Sequence, residues 1–422
     1  MSLTKATGHL ALEKVEKSLQ KAAQKKEEVE NLHRKAMAAR EIIKSMGELK
    51  GALMKLGQML SITEDLIVPP EISKLFSELQ KNAPPMRGQE IDAVFLASFG
   101  KKPEELFAEF ERRPIAAASI GQVHRATLPT GEQVAVKVQY PKIVNAIKND
   151  FENLDGIKKL VTLLFPKTPN IDSYLQELKR SLAEECDYIK ERESVDFFRE
   201  KTKDKFPQVK IPQTYPEFSS ETVLTLEFME GDDYVTSKNY SEKEKDELGQ
   251  IVYDFHNYCF YHLRKIHTDP QYGNFLFKRN QVVYLDFGSV RSFSEEFVSQ
   301  YIELLKSIEE EDMDRYRKVL LDFGFFEETD AEELFEKHLA MVSDLYKPYI
   351  RKGKHAIPGV NPLDLVKGFV DNIDLKGRKS PREEFLLLDR AHLGLYTKLR
   401  GWKAKIDWIT AKEKGWELYE KA

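Results

Sequence analysis

The sequence predicts an α+β chain of two lobes, β-rich and then helix-rich, with a helical extension ahead of them. Three observations carry that prediction. Short runs of β period crowd residues 107–228. Nearly everything after Ser241 has helical period, apart from one hairpin. Residues 10–99 read as helices interrupted by proline pairs. The segments that follow are an amphipathic helix over 1–48, a helical extension over 49–106, a first lobe over 107–230 and a second over 231–422.

From Leu10 to Met46 the chain is rich in Lys, Glu, Ala and Gln and has neither Pro nor an internal Gly. Val15, Ala22, Val29, Ala36 and Ile43 recur every seven residues, but Lys26, His33 and Arg40 break the alternate positions. The stripe is thin for a coiled coil, and docking on the body of the protein is the plainest use of such a helix. Leu49 to Glu64 continues in helical period around Lys55-Leu56-Gly57-Gln58. A glycine inside a helix costs about 1 kcal/mol relative to alanine, so Gly57 marks a close approach. Pro69-Pro70 and Ala83-Pro84-Pro85 interrupt the chain. Short helices fall over Ile72 to Leu79 and Ile91 to Phe99, the second ending at Gly100.

At Phe107 the period changes. Phe107 to Phe110, Gln122 to Leu128 and Gln133 to Gln139 read as strands, the last two joined by the turn Pro129-Thr130-Gly131-Glu132. The third strand holds Val134-Ala135-Val136-Lys137, the setting in which kinases carry a phosphate-gripping lysine. Just before this hairpin stands Ala116-Ala117-Ala118-Ser119-Ile120-Gly121. Laid over a glycine-rich phosphate loop it keeps only the third glycine, and its methyl groups stiffen the backbone. Asp172 to Arg199 reads as one long charged helix, the best source of a carboxylate partner for Lys137. Pro207 to Pro216 reads as a linker and Thr222 to Phe228 as a strand. Met229-Glu230-Gly231 leaves that strand where a two-lobed kinase has its hinge. The candidate nucleotide contacts are therefore Ala116, Ala117, Ala118, Ser119, Lys137, Phe228 and Met229.

The second lobe is helix-patterned over Lys245 to Leu263, Glu295 to Lys306, Asp314 to Leu321, Ala331 to Asp344, Pro362 to Asn372 and Arg382 to Lys398, with a Trp-bearing tail. The exception is HTDPQYGNFLFKRNQVVYLDFG, His267 to Gly288. Phe275 to Phe277 and Val282 to Leu285 form a hairpin about the polar turn Lys278 to Gln281. Asp269 and Asn274 precede the hairpin, and Asp286 follows it in Leu285-Asp286-Phe287-Gly288. Phosphoryl transfer needs metal held against phosphates and a carboxylate near the attacking hydroxyl. Protein kinases arrange these residue types in this order, which makes Asp269 the catalytic-loop carboxylate and Asn274 and Asp286 the Mg²⁺ ligands. Leu321-Asp322-Phe323-Gly324 repeats the same letters without a hairpin, and its Gly324 reads as a helix C-cap.

Composition narrows the class. Sixty-five basic against 70 acidic residues leave a net charge of -5, which argues against a general nucleic-acid binder. Two cysteines, Cys186 and Cys259, imply no disulfide framework and suit a reducing compartment. The N-terminus lacks the apolar core of a secretory signal and no run is long enough to span a bilayer, so the expectation is a cytoplasmic protein, or one peripheral to a membrane.

With Lys55-Leu56-Gly57-Gln58, the Ala116–Gly121 loop, Val-Ala-Val-Lys137, Glu185-Cys186-Asp187, Asp269…Asn274 and Asp286-Phe-Gly all in order, the chain resembles the UbiB (AarF) family. These are atypical protein-kinase-like proteins linked to ubiquinone biosynthesis and isoprenoid-lipid handling. The resemblance runs from Leu49 to Arg291, and Phe385 to Leu399 looks like the family's terminal helical region. It implies a two-lobed protein-kinase-like fold whose N-terminal extension covers the active site. It also implies Mg²⁺-dependent ATP binding, with hydrolysis or phosphoryl transfer to a small or lipid-pathway acceptor. Lys55 and Gln58 look like the motif on the covering helices, and Glu185 and Asp187 like the motif that pairs with the cover. Glu191 looks like the helix glutamate that meets Lys137, and is preferred to the alternative, Glu185, because the latter already has a family role. The partners implied are ATP, isoprenoid or phenolic lipid precursors and a membrane surface. Two features depart from the family pattern: Gln271 and Tyr272 replace the common His and Pro, and no membrane segment is visible. The rival reading is a nucleotide-binding pseudokinase scaffold, which would have no need to keep Asp269, Asn274 and Asp286.

Overall fold

The structure, a computed structural model, describes residues 85–118, 120–141, 179–180, 182–269, 271–357 and 382–420. The chain divides into two units, Met1–Ala83 with Asn149–Leu175 and Pro84–Lys148 with Gln176–Ala422, and the described residues all fall in the second. The helices read before residue 84, the Lys55…Gln58 motif and the helix read at Pro362 lie outside the described residues.

In chain order the elements are α1 (Gly88–Phe99), α2 (Pro103–Leu106), β1 (Glu109–Phe110), β2 (Ala116–Ala117), β3 (Gly121–Thr127), β4 (Gln133–Gln139), α3 (Tyr188–Thr202), β5 (Val209–Lys210) and β6 (Val223–Glu227). There follow α4 (Tyr234–Ser237), α5 (Glu242–Tyr261), β7 (Lys265–His267), β8 (Phe275–Lys278), β9 (Gln281–Tyr284) and β10 (Val290–Ser292). The last are α6 (Glu295–Glu309), α7 (Met313–Asp322), α8 (Glu332–Ile350), β11 (Lys354–His355), α9 (Glu383–Trp402), β12 (Ile406–Asp407) and α10 (Trp408–Glu420). Helices and sheets are mixed in the way the α+β reading expects.

The first lobe is an antiparallel sheet, β1-β3-β4-β6 with β2 also on β3, covered on one face by α1. Side chains alternate across a strand, so Val134, Val136 and Val138 of β4 all enter the core beneath α1. Lys137 is thereby turned to the opposite face. Phe95 anchors the helix with its ring edge-on to Phe107 and Phe110, at centroid distances of 6.1 and 5.6 Å. Residues 88–106, grouped with the extension on sequence grounds, thus pack with this sheet.

The long helix read over 172–199 is in fact broken. A helical segment ends at Glu185, and a new helix, α3, begins at Tyr188. Two polar groups hold the bend. Gln139 at the end of β4 donates from Nε2 to the Cys186 carbonyl (2.8 Å), and the Asp187 carboxylate accepts from the Lys190 N–H (2.9 Å) as an N-cap. Charge periodicity runs across such a kink unchanged, which is why the sequence hides it.

In the second lobe, α5 starts at a capping box between Ser241 and Glu244 and packs against α9, α10, β7 and β9. Trp402 and Trp408 are fully buried beside it, their indole N–H groups donating to Ser237 Oγ and the His355 carbonyl, each at 2.9 Å. The hairpin β8–β9 gains β5 as a parallel third strand, so the segment read as a linker contributes to the second-lobe sheet. Two further pairs, β7–β10 and β11–β12, sit where helical period was read throughout. Strands of two or three residues are too short to show a period. The repeated tetrapeptide is the end of α7, with Gly324 at a φ of 76° just beyond it. Among the described residues no helix is long and apolar enough to cross a membrane.

Asp187 is exposed and its carboxylate caps α3, so its removal tests the cap. Asp187→Ala should lower unfolding free energy by about 1 kcal/mol in a urea titration, with the slope unchanged. An unchanged midpoint would mean that the bend does not depend on the cap.

Candidate active site

Two short ladders bring the catalytic stretch into register. On one side β7 and β10 run antiparallel with His267 opposite Val290, and the Thr268 N–H donates to the Ser289 carbonyl at 2.8 Å. On the other, Phe275 pairs with Tyr284, and the Leu285 N–H donates to the Asn274 carbonyl at 2.9 Å. The loop 268–274 is therefore stitched at both ends to the segment 285–289. Asp269 and Asn274 lie on one of these segments and Asp286 on the other. Asp269 is buried, its Oδ1 accepting from the Gln271 N–H at 3.3 Å. Asn274 Nδ2 donates to the Asp269 carbonyl at 3.4 Å, which leaves the amide oxygen as the atom suited to a metal.

Lys137 comes from the other lobe and meets two carboxylates. Its ammonium donates to Glu191 Oε1 and to Asp286 Oδ2, the latter at 2.6 Å. Glu191 reaches it because α3 turns Tyr188, Glu191, Val195, Phe198 and Thr202 inward at helical spacing. Two turns beyond Glu191, Phe198 stacks on Phe287 at 5.0 Å, so the ring beside Asp286 holds the helix that carries Glu191. Asp286 Oδ1 accepts from the Gly288 N–H (2.9 Å), and His267 Nε2 stands 3.9 Å from it.

The charges sort themselves by how many partners each has. Burial works against the Lys137 ammonium, but Asp286 and Glu191 outweigh it and raise its pKa. Burial likewise opposes the Asp286 carboxylate, yet Lys137 holds its pKa well below the usual range. For Glu191 burial and the neighbouring Asp286 charge both raise the pKa, and Lys137 offsets them only in part. One ammonium cannot fully compensate two carboxylates, and Glu191, the more deeply buried, is the one left short.

The remaining candidate residues are placed as follows. Ala116 and Ala117 form β2, exposed at the sheet edge, and the Ala118 N–H donates to the Gly121 carbonyl at 2.9 Å; Ser119 lies outside the described residues. Gly121 has a reason of its own, since a Cβ there would lie 2.3 Å from the Val138 carbonyl oxygen. The glycine kept from the phosphate-loop pattern therefore serves strand packing. The Phe228 N–H is already taken by the Gln133 carbonyl at 3.0 Å, and its ring lies under Arg125. Only its carbonyl, with the backbone of Met229 after it, is left for an adenine. Glu185 is half-buried and Asp187 caps α3; Lys55 and Gln58, their expected counterparts, are outside the described residues.

Two features went unread in the sequence. Arg291 on β10 pairs with Glu184, tying the second lobe to the segment before α3. Lys398 on α9 is buried against the catalytic loop. Its signal is visible in retrospect, a lysine on the apolar stripe of an amphipathic helix.

Asn274 and Asp286 fit Mg²⁺. The ion takes hard oxygen donors, and commonly only one or two from protein when phosphates supply the rest. Among the described residues no group of three or more His, Cys, Asp and Glu is placed to hold a metal by itself.

A family model described as the ABC1 atypical kinase-like domain matches residues 78–320. The rat protein named atypical kinase COQ8B, mitochondrial, is 30% identical over 363 residues, covering 85% of this chain and 68% of that one. The fission yeast (Schizosaccharomyces pombe) atypical kinase COQ8, mitochondrial, is 29% identical over 314 residues, 73% of this chain and 50% of that one. The chain thus spans between half and about two thirds of the length of these relatives. The solved complex of Rv3197 with erythromycin from Mycobacterium tuberculosis shares the fold, with a TM-score of 0.61 at 24% identity over 92% of this chain and 98% of that one.

Glu191 supplies a pH test. Its folded pKa is raised above the ordinary 4.5, so the native state binds more protons than the unfolded one just above that value. Its contribution to stability is full below 4.5 and is lost as pH rises through the folded pKa. Between about pH 4 and pH 8, wild type should therefore lose stability relative to Glu191→Gln in urea titrations. A gain over that range would show that Lys137 holds Glu191 fully ionised.

Proposed function

The chain belongs to the ABC1 atypical kinase-like family, the UbiB/AarF group, and on that premise we propose that it binds Mg·ATP and carries out hydrolysis or phosphoryl transfer. One observation carries the reading above the others: Lys137 is held between Glu191 and Asp286 across the two lobes. A scaffold that needs only to be stable gains little from a buried Lys137 and Glu191 sharing one contact with a partly exposed Asp286. A phosphate-gripping lysine oriented by a helix glutamate gains its aim from that arrangement.

In this reading Asn274 and Asp286 would hold Mg²⁺, which when bound neutralises charge on the phosphates. Lys137 grips phosphate oxygens, and Glu191 keeps its side chain extended. Asp269 accepts the proton of the attacking hydroxyl or water as the terminal phosphoryl group leaves its bridging oxygen. Ala116 to Ser119 lie over the phosphates and Phe228 and Met229 flank the base. The Lys55…Gln58 motif, together with Glu185 and Asp187, limits which acceptors enter. The acceptor is a small or lipid-pathway molecule, an isoprenoid or phenolic precursor handled at a membrane surface in support of ubiquinone biosynthesis.

Asp286→Asn should abolish the Mg²⁺-dependent rise in melting temperature that ATP produces, while Asp322→Asn, at the end of α7, should leave it intact. Equal losses would sink the assignment of the metal site. For the gating motif, Lys55→Ala should permit phosphate incorporation into the protein itself from labelled ATP, with only a modest change in melting temperature. A variant that melts much earlier with unchanged chemistry per folded molecule would make the motif structural.

A further inference from the structure

Lys398 occupies a position that its helix reserves for hydrocarbon. α9 turns Leu388, Ala391, Leu395, Leu399 and Trp402 inward, and Lys398 lies among them at 3% exposure. Its Nζ stands 4.3 Å from the centroid of the Phe275 ring and 5.4 Å from that of Tyr272. Those two residues bracket Asn274 in the loop that carries Asp269. The backbone at Lys398 is fixed as well, since Tyr234 Oη donates to its carbonyl at 2.8 Å. The Tyr234 ring in turn lies flat on Tyr272, with centroids 4.2 Å apart and planes 3° from parallel. Tyr234, Tyr272 and Lys398 thus close a circuit between the end of the hinge, the loop 268–275 and α9.

Packing alone does not call for a lysine here. Burying an ammonium is costly without compensation, and a cavity of about 50 Å³, bordered by His256, His267, Phe287 and Lys398, remains beside it. Two aromatic faces and the attraction of the Asp269 carboxylate contribute to that compensation. Burial draws the Lys398 pKa down to about 7, and Asp269 acts in the opposite sense. The loop itself has no cation to offer, because between His267 and Phe277 there is neither Lys nor Arg. Asp269 is buried too, so a carboxylate without a nearby positive charge would be expensive to keep ionised.

We propose that Lys398 is a positioning residue of the phosphoryl-transfer site: from α9 its ammonium fixes the loop 268–275 and holds the Asp269 carboxylate in the pose that receives the acceptor's proton. The inference rests on the kinase-type reading of Asp269 and gives the Gln271-Tyr272 departure a physical role. Tyr272 supplies one of the faces on which the ammonium rests.

The test is ATP turnover by the full chain, with melting curves alongside, for Lys398→Met, Lys398→Arg, Tyr272→Ala and two references. Asp286→Asn reports the metal site, and Lys412→Met removes a second buried lysine, one that pairs with Glu309 on α6 away from the loop. Lys398→Met should lower kcat at least about tenfold with KM for ATP nearly unchanged, the split expected when a group is mispositioned and nucleotide binding is kept. Lys398→Arg should recover part of that loss, and Lys412→Met should melt earlier yet keep its kcat per folded molecule. If Lys398→Met does not fold, Tyr272→Ala, which removes a partly exposed ring, should still lower kcat with KM unmoved. Turnover lost in Asp286→Asn but retained in Lys398→Met or in the folded Tyr272→Ala overturns the inference alone. A loss matched by Lys412→Met makes Lys398 structural and overturns it as well. A wild-type chain that turns over no ATP overturns the kinase-type reading and the inference with it.

Discussion

Lys137 must be reached by two carboxylates that arrive on different elements, Glu191 from α3 and Asp286 from the loop after β9. Much of the described structure serves that meeting. The alternation of β4 sends Val134, Val136 and Val138 into the core under α1 and so aims Lys137 at the other lobe. The bend at Cys186–Asp187, fixed by Gln139 at the end of the same strand, sets the direction of α3. Phe287, next to Asp286, stacks on Phe198 and seats the helix at its middle. Strand, helix and loop are thereby located relative to one another by contacts adjacent to the three charges.

Such a cluster is a poor source of stability and a good source of geometry. Lys137 and Glu191, taken out of water beside a partly exposed Asp286, recover only part of their hydration from one another, and the raised pKa of Glu191 reflects the shortfall. What the arrangement provides is a single extended pose for a flexible lysine. The catalytic loop is treated alike, sewn to the segment 285–289 by β7–β10 on one side and the hairpin on the other. α9 then packs against it through Lys398, with Tyr234 of α4 bonded to the Lys398 carbonyl and in ring contact with Trp402.

Legibility in the sequence tracked the length of the pattern. The hairpin β3–β4, the hairpin β8–β9, the strand carrying Lys137 and the helix stop at Gly100 all follow from periods and turns that span several residues. The decoy Asp322-Phe323-Gly324 was separable because a charged helical run precedes it. The kink before Tyr188 was not legible, because a helix on each side presents the same charge period and only a side chain from a distant strand marks the break. The pairs β7–β10 and β11–β12 are too short for any period, and β5 gains its strand from a partner far along the chain. Glu191 was named through resemblance. Its burial on the inward face of α3 is what the residues alone could have added, just as Lys398 could have been read from the stripe it interrupts.

The central claim is that Lys137 and Glu191 act as one unit across the lobes. A double-mutant cycle on unfolding free energy, using Lys137→Ala, Glu191→Ala and the pair, measures that directly. The account predicts strong non-additivity, with a coupling of about 1 kcal/mol or more, because Lys137→Ala leaves Glu191 buried without its cation and Glu191→Ala removes one of the two carboxylates that hold Lys137. Additive losses would contradict it and return Lys137 and Glu191 to the status of neighbours.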